Sequence, residues 1–434
     1  MGIICIVLSY ILLAAHAVRG GDWGLAVFMT GAACLALFRD RWVGYVSSVL
    51  LACGAVVWLQ WGSSLIGLRV AVGGPWVRLA FIMGMLFALS LFSAAYCLSP
   101  AGRERFDGNI EQGAFRAAVF LLTALLLEIT RARVPFPIVL ADRFFPGWGR
   151  AEIFLLALYG SWVGGRMFSP DGAVRTRPVI WVIFSAVFFV QLGLGLSGLE
   201  QFLMTGRLHL PVPALIAAGP VYRGSGFFMP ILFTVSVLLV GPAWCSHLCY
   251  IGAWDDRCSR VGHKKPSSSF PRKLIWLRMV LLAAVLSAAW FMRRAGVPGF
   301  AALWWAAGFG LAGIFIMLYF SRRMGMMVHC TAFCPMGIVS NLLGRISPWR
   351  MRIAEDCCKC FKCSRVCRYS ALSRQDIESG RPGISCTLCG DCLSVCPSSS
   401  IHYKLPFLSP ALSRNVFLVL VIALHALFMG VARI

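Results

Sequence analysis

Residues 386–397 read CTLCGDCLSVCP: three cysteines at two-residue gaps, a fourth after three more residues, then a proline. Three thiolates in a tight loop supply three corners of a [4Fe–4S] cubane. Where two such runs occur, the fourth cysteine of each lies on the following turn and reaches the other cluster. A second run, CCKCFKCSRVC at 357–367, precedes the first. The exchange rule assigns Cys357, Cys360, Cys363 and Cys396 to one cluster and Cys386, Cys389, Cys392 and Cys367 to the other. Zinc also takes four thiolates, but its sites usually show two separated pairs, so the repeated pattern favours iron–sulfur. Cys358 is read as a bystander, and Arg368 stands where proline normally follows the fourth cysteine.

Around this segment the chain is of another kind. Of 434 residues, 59% are hydrophobic and 13% charged, more apolar surface than a water-soluble domain can hide. Apolar runs recur at about 3–18, 24–38, 42–60, 76–98, 114–130, 152–168, 178–199, 226–243, 274–292, 302–320 and 411–430, so about eleven spans are expected. The first lacks a basic leader and is not read as a signal peptide. The net charge of +23 is assigned to the lipid bilayer rather than to nucleic acid. Arg257, Arg260, Lys264, Lys265, Arg272 and Lys273 follow the run 226–243; Arg322, Arg323, Arg345, Arg350 and Arg352 follow 302–320. By the positive-inside rule both loops face the cytoplasm of an inner (cytoplasmic) membrane, and the ferredoxin-like segment with them. Cys5, Cys34, Cys53 and Cys97 are read as small core residues, and Cys258 has no assigned role.

CSHLCYIGA at 245–253 aligns with CTAFCPMGI at 330–338. Each follows an apolar run. On a helix, i and i+4 spacing would put both thiols of a pair on one face. Two such ends meeting would gather Cys245, Cys249, Cys330 and Cys334 into a ligand set for a third cluster or a relay. Inert packing, disulfides and a single zinc ion compete with that reading. A reducing compartment disfavours disulfides, and no Cys-x2-Cys-His occurs, which excludes a c-type haem. His247 and His329 are read as hydrogen-bond partners rather than ligands. Among acids near the membrane, Glu128 is expected to pair with Arg131, while Glu152 and Glu200 sit near helix ends. His16 and His425 are read as packing.

The segment 347–404 closely resembles bacterial two-cluster ferredoxins, above all at GDC and CPSSSI. Four helices bearing two Cys-x3-Cys-Pro motifs and then such a ferredoxin resemble the NapH/NosR/MauN-type membrane ferredoxins over about 175–405. Tyr250 departs from the first motif's proline; Pro335 keeps the second. The fold implied is mainly α, a polytopic transmembrane bundle with a small α+β two-cluster ferredoxin. The chain divides into N-terminal helices at 1–174, of docking or unknown role and outside the resemblance, a four-helix core at 175–346, the ferredoxin at 347–404 and a last helix at 405–434. The function implied is the electron-transfer subunit of a quinol dehydrogenase or oxidoreductase complex. It would pass electrons between the quinone pool and a membrane or peripheral redox partner. An assembly factor reducing a metal centre of another enzyme, and a redox sensor or structural metal-binding membrane protein, would use the same residues.

Overall fold

The computed structural model describes residues 2–202, 210–261, 266 and 273–431. Lys264, Lys265 and Arg272 of the expected basic loop lie outside these. Two compact units are present, Met1–Gly165 and Arg166–Ile434. Among the described residues, nine helices are long and apolar enough to cross a bilayer: Gly2–Arg19, Arg41–Ala71, Val77–Leu98, Ile110–Arg133, Pro170–Leu196, Phe228–Leu248, Trp276–Arg294, Gly299–Met324 and Pro410–Val431. The protein is thus a polytopic membrane protein. The two remaining apolar runs are helical too. Trp23–Ala36 has 14 residues, short of the about 20 a span needs, and Gly149–Met167 carries Arg150, Glu152 and Arg166.

In the first unit two of the helices begin at side-chain caps: Asp22 accepts from the Leu25 N–H at 2.9 Å before Trp23–Ala36, and Asn109 from the Gln112 N–H at 2.9 Å before Ile110–Arg133. Several acids of this unit are paired with arginines. Glu128 does meet Arg131, at 3.8 Å, but its nearer partner is Arg150 at 2.6 Å, which also reaches Asp22. Glu152 accepts the Ala141 N–H at 2.6 Å.

The second unit is built twice over. Each half places a buried arginine on a membrane helix (Arg177 on Pro170–Leu196, Arg278 on Lys273–Arg294), then a second span, then a π-turn, then a short helix. The π-turns, Trp244–Leu248 and His329–Phe333, hold the first cysteine of each pair. The expected α-helical spacing is therefore replaced by a wider turn. Its closing bonds run from the Cys249 N–H to the Trp244 carbonyl (3.0 Å) and from the Cys334 N–H to the His329 carbonyl (2.7 Å). Cys249 and Cys334 leave that turn with nearly equal backbone angles, φ −85°, ψ 113° and φ −69°, ψ 116°, and start the helices Tyr250–Val261 and Pro335–Leu343. Tyr250 in place of proline does not change the turn; its ring stacks on Phe188 at 3.8 Å.

The ferredoxin-like segment closes on a two-stranded antiparallel ribbon, β1 (Arg350–Ile353) and β2 (Ile401–Lys404), with Arg350 opposite Lys404 and Ile353 opposite Ile401. Closing the ribbon brings the end of the run 386–397 back to the start of the run 357–367. Trp349 donates its indole N–H to the Leu239 carbonyl at 2.7 Å, and Tyr403 stacks on Phe417 of the C-terminal helix at 4.5 Å. Both contacts tie the ribbon to spans of the same unit.

Candidate metal centres

The two cysteine runs repeat in backbone as well as in sequence. Lys359, Phe361 and Ser370 have φ of 50°, 56° and 51°; Leu388, Gly390 and Ser399, each 29 positions later, have 57°, 80° and 53°. Five of these six are not glycine, and each such left-handed residue costs about 1–2 kcal/mol. Alternating right- and left-handed residues turn successive N–H groups inward into a concavity that binds anions, the backbone form common around iron–sulfur sites. The N–H of Ala371 donates to Cys367 Sγ at 3.3 Å. Burial, and then the charge of Cys357, Cys396 and Cys360, pushes the Cys363 thiol up. Burial, and then Cys389, Cys386 and Cys367, does the same for Cys392. Cys363 thus neighbours Cys357, Cys360 and Cys396, and Cys392 neighbours Cys367, Cys386 and Cys389. Arg368 does not loosen its turn, because Ser370 mirrors Ser399. Its guanidinium donates to the carbonyls of Ser259 and Gly325, both at 2.9 Å. Cys358 and Cys360 are exposed, whereas Cys367, Cys386 and Cys389 are pushed up to about 12, chiefly by burial.

Cys245, Cys249, Cys330 and Cys334 line one small cavity. The halves support them alike. Cys249 receives N–H groups of Gly252 and Ile251, and Cys334 those of Gly337 and Met336. A Cβ on Gly252 would lie 2.9 Å from the Cys245 carbonyl oxygen, and one on Gly337 2.9 Å from that of Cys330, so both positions need glycine to let helix and turn approach. Asp255 accepts the Cys330 N–H at 2.9 Å. Burial pushes this carboxyl up to about 6 against the bonds from Ser321 and Cys330. At the matching place in the second half, Ser340 lies against the Cys245 thiol. Arg278 donates to the Cys330 carbonyl at 3.0 Å and to Asn341 at 3.1 Å. His247 does not face this cavity: its ring meets the Ser246 hydroxyl at 3.0 Å, and its carbonyl meets His425 at 3.2 Å.

Tyr369, Ser385 and Thr387 line the same cavity, and each carries a buried hydroxyl with no partner in the protein. Four thiols ringed by unpartnered donors fit a sulfur-rich anionic cluster, whose sulfides accept hydrogen bonds. Among the described residues, no three His, Cys, Asp or Glu side chains gather tightly enough for a single metal ion. A tetrahedral zinc site would need sulfurs about 3.8 Å apart.

The ferredoxin segment is docked on this cavity. Tyr369 packs with Trp181, Ala253 and Met327, and the same cluster touches Cys330 on one side and Cys367 and Cys389 on the other. Arg177, almost fully buried, grips Asp391 at 2.9 and 3.2 Å, the Ser246 carbonyl at 3.2 Å and Asp256 at 3.5 Å. Arg260 joins both acids, at 2.7 Å to Asp256 and 3.2 Å to Asp391. Sequence reasoning passed over Arg177, Arg278, Tyr369 and Asp391. One signal was present: a charged residue inside an apolar span marks a functional site by default, and Arg278 stands inside the run 274–292, with Arg177 directly before the run 178–199. Extending the alignment of the two motifs by three residues would also have paired Asp255 with Ser340 and Asp256 with Asn341.

A family of 4Fe-4S binding domains matches residues 222–268 and 303–353, each stretch carrying one Cys-x3-Cys pair. The chain is similar to the Escherichia coli (strain K12) protein named "Putative electron transport protein YccM", 25% identical over 252 residues, covering 51% of this chain and 64% of that protein. It therefore spans just under two thirds of that relative's length. It is also similar to the "Uncharacterized protein MJ0749" of Methanocaldococcus jannaschii, 22% identical over 183 residues, covering 40% of this chain and 69% of that protein. No solved structure matches it significantly.

Proposed function

We infer that this polytopic protein, with its 4Fe-4S binding domain, transfers electrons between the quinone pool of an inner membrane and a redox partner on the cytoplasmic side. One observation carries the reading. Cys330 of the membrane motif and Cys367 and Cys389 of the ferredoxin segment pack on one buried cluster around Tyr369. In this reading Cys245, Cys249, Cys330 and Cys334 hold a third [4Fe–4S] cluster, and the eight ferredoxin cysteines hold two in the exchanged pattern. The clusters would supply one-electron transfer. The chain's own residues grade the path: Cys367 and Cys389 pack on the cluster of Tyr369, which lines the membrane cavity, and the set containing the exposed Cys360 opens to solvent. Support comes also from the named role of the Escherichia coli relative and from the membrane ferredoxins that the motifs resemble. The basic loops beside both motifs support a cytoplasmic setting for this face.

The test uses anaerobically purified protein in quinone-free nanodiscs. A lipid-soluble hydroquinone is added, and the ferredoxin clusters are followed by electron paramagnetic resonance. Reduction in the wild type is the expected result. Clusters that respond to aqueous dithionite but never to any membrane-soluble donor or acceptor would contradict the reading.

Tyr369 gives a finer prediction. Its hydroxyl is buried, lines the four-thiol cavity and has no partner in the protein, so it should donate to the cluster at that site. Losing one hydrogen bond of about 0.5–1.5 kcal/mol lowers a one-electron potential by about 20–60 mV, since about 1.4 kcal/mol corresponds to 59 mV. Tyr369→Phe is therefore expected to lower the midpoint of one centre by that amount in a redox titration. An unchanged set of potentials would remove Tyr369 from this role.

A further inference from the structure

A cavity of about 790 Å³ lies among the helices Leu215–Arg223, Lys273–Arg294 and Gly299–Ile316, walled by residues such as Ala218, Leu281, Val285, Ala288, Leu303 and Trp305. A second cavity, about 290 Å³, shares Leu210, Val212, Ala214 and Phe309 with it and ends at His329 and Cys334. Cys334 also faces the four-thiol cavity. The volumes lie within or just below the range of about 300–1,000 Å³ usual for small-molecule sites.

The inner end of this tunnel has one polar feature. His329 is 5% exposed, lines the smaller cavity, and neither of its ring nitrogens has a partner in the protein. Its ring is set in place: Phe333 packs 5.4 Å away and in turn stacks on Phe309 at 4.6 Å. Gly313 leaves the space, since a Cβ there would come within 2.8 Å of His329 Cε1. Buried polar groups are almost always hydrogen-bonded, so the occupant must bring an oxygen to His329. The larger cavity beyond it is mostly apolar, with Tyr222 and Arg223 in its wall, so the occupant must also carry a hydrocarbon tail. A bare hydrocarbon chain fills the tail cavity but leaves the imidazole unpaired.

We propose that the paired cavities bind an isoprenoid quinone, its ring oxygen hydrogen-bonded to His329 beside Cys334 and its tail along the larger cavity. The assignment rests on the electron-transfer reading for its redox meaning, whereas binding itself is measured independently. His329 here binds and orients the ring; no proton transfer is assigned to it.

The test is photolabelling of cluster-loaded protein in quinone-free nanodiscs with two azidobenzoquinones, one bearing a decyl tail and one tailless, followed by peptide mapping. The tailed probe should label peptides covering 303–317 and 328–337. His329→Phe should cut labelling by both probes at least tenfold, and His329→Gln, which keeps a hydrogen-bonding group, should retain most of it. Ala288→Trp should cut labelling by the tailed probe at least fivefold and leave the tailless probe unchanged. Iron content and dithionite reduction are read in the same samples. Wild-type protein with reducible clusters and only scattered, lipid-facing label would overturn the site while leaving the electron-transfer reading standing. So would label in the tunnel that His329→Phe and Ala288→Trp both leave intact.

Discussion

Replacing Cys245 and Cys334 together by serine is expected to leave the ferredoxin clusters present but to slow their reduction by a membrane hydroquinone at least a hundredfold. The two thiols come from opposite halves of the duplicated site, so their loss removes one ligand from each pair lining the cavity. Serine is nearly isosteric and keeps the π-turns, whose closing bonds are backbone bonds. Aqueous dithionite should still reduce the ferredoxin at the wild-type rate. Stopped-flow absorbance with each donor checks both halves of the prediction. Equal rates with hydroquinone in variant and wild type would show that the four thiols are inert packing.

Arg177→Met is expected to destabilise the second unit by about 3–5 kcal/mol, because removing one partner of a buried ion pair leaves the other charge uncompensated. Here two acids are stranded. Asp391 comes from the GDC of the ferredoxin run, and Asp256 from the helix after the first membrane motif. Arg260 still reaches both, but it is partly exposed and already engaged. The loss should therefore appear first as release of the ferredoxin segment. Amide exchange checks it: protection should fall across 347–404 while the spans of the first unit, Met1–Gly165, stay protected. Uniform protection would place the docking strength elsewhere, for instance in Trp349 and its bond to Leu239.

Much of this was legible because cysteine spacing and hydrophobic run length are local signals. The x2-x2-x3 runs repeat in backbone as they do in sequence, and each of the eleven apolar runs is helical among the described residues. Nonlocal features were hidden. The i, i+4 spacing suggested one α-helical face, but the motif widens into a π-turn, which glycine at 252 and 337 permits by letting the next helix approach. Replacement of proline at Tyr250 and Arg368 suggested altered turns. Stacking on Phe188 and bonds to Ser259 and Gly325 occupy those places instead. The role of Tyr369 could not be read beforehand, since it lies two residues past Cys367 in sequence but beside Cys330 in space.

The most direct measurement is the iron and acid-labile sulfide content of anaerobically purified protein. Three four-iron centres predict about twelve irons and twelve sulfides per chain, falling to about eight of each when Cys245 and Cys334 are replaced. About eight irons in both proteins would contradict the account, because the membrane cysteines would then hold no cluster.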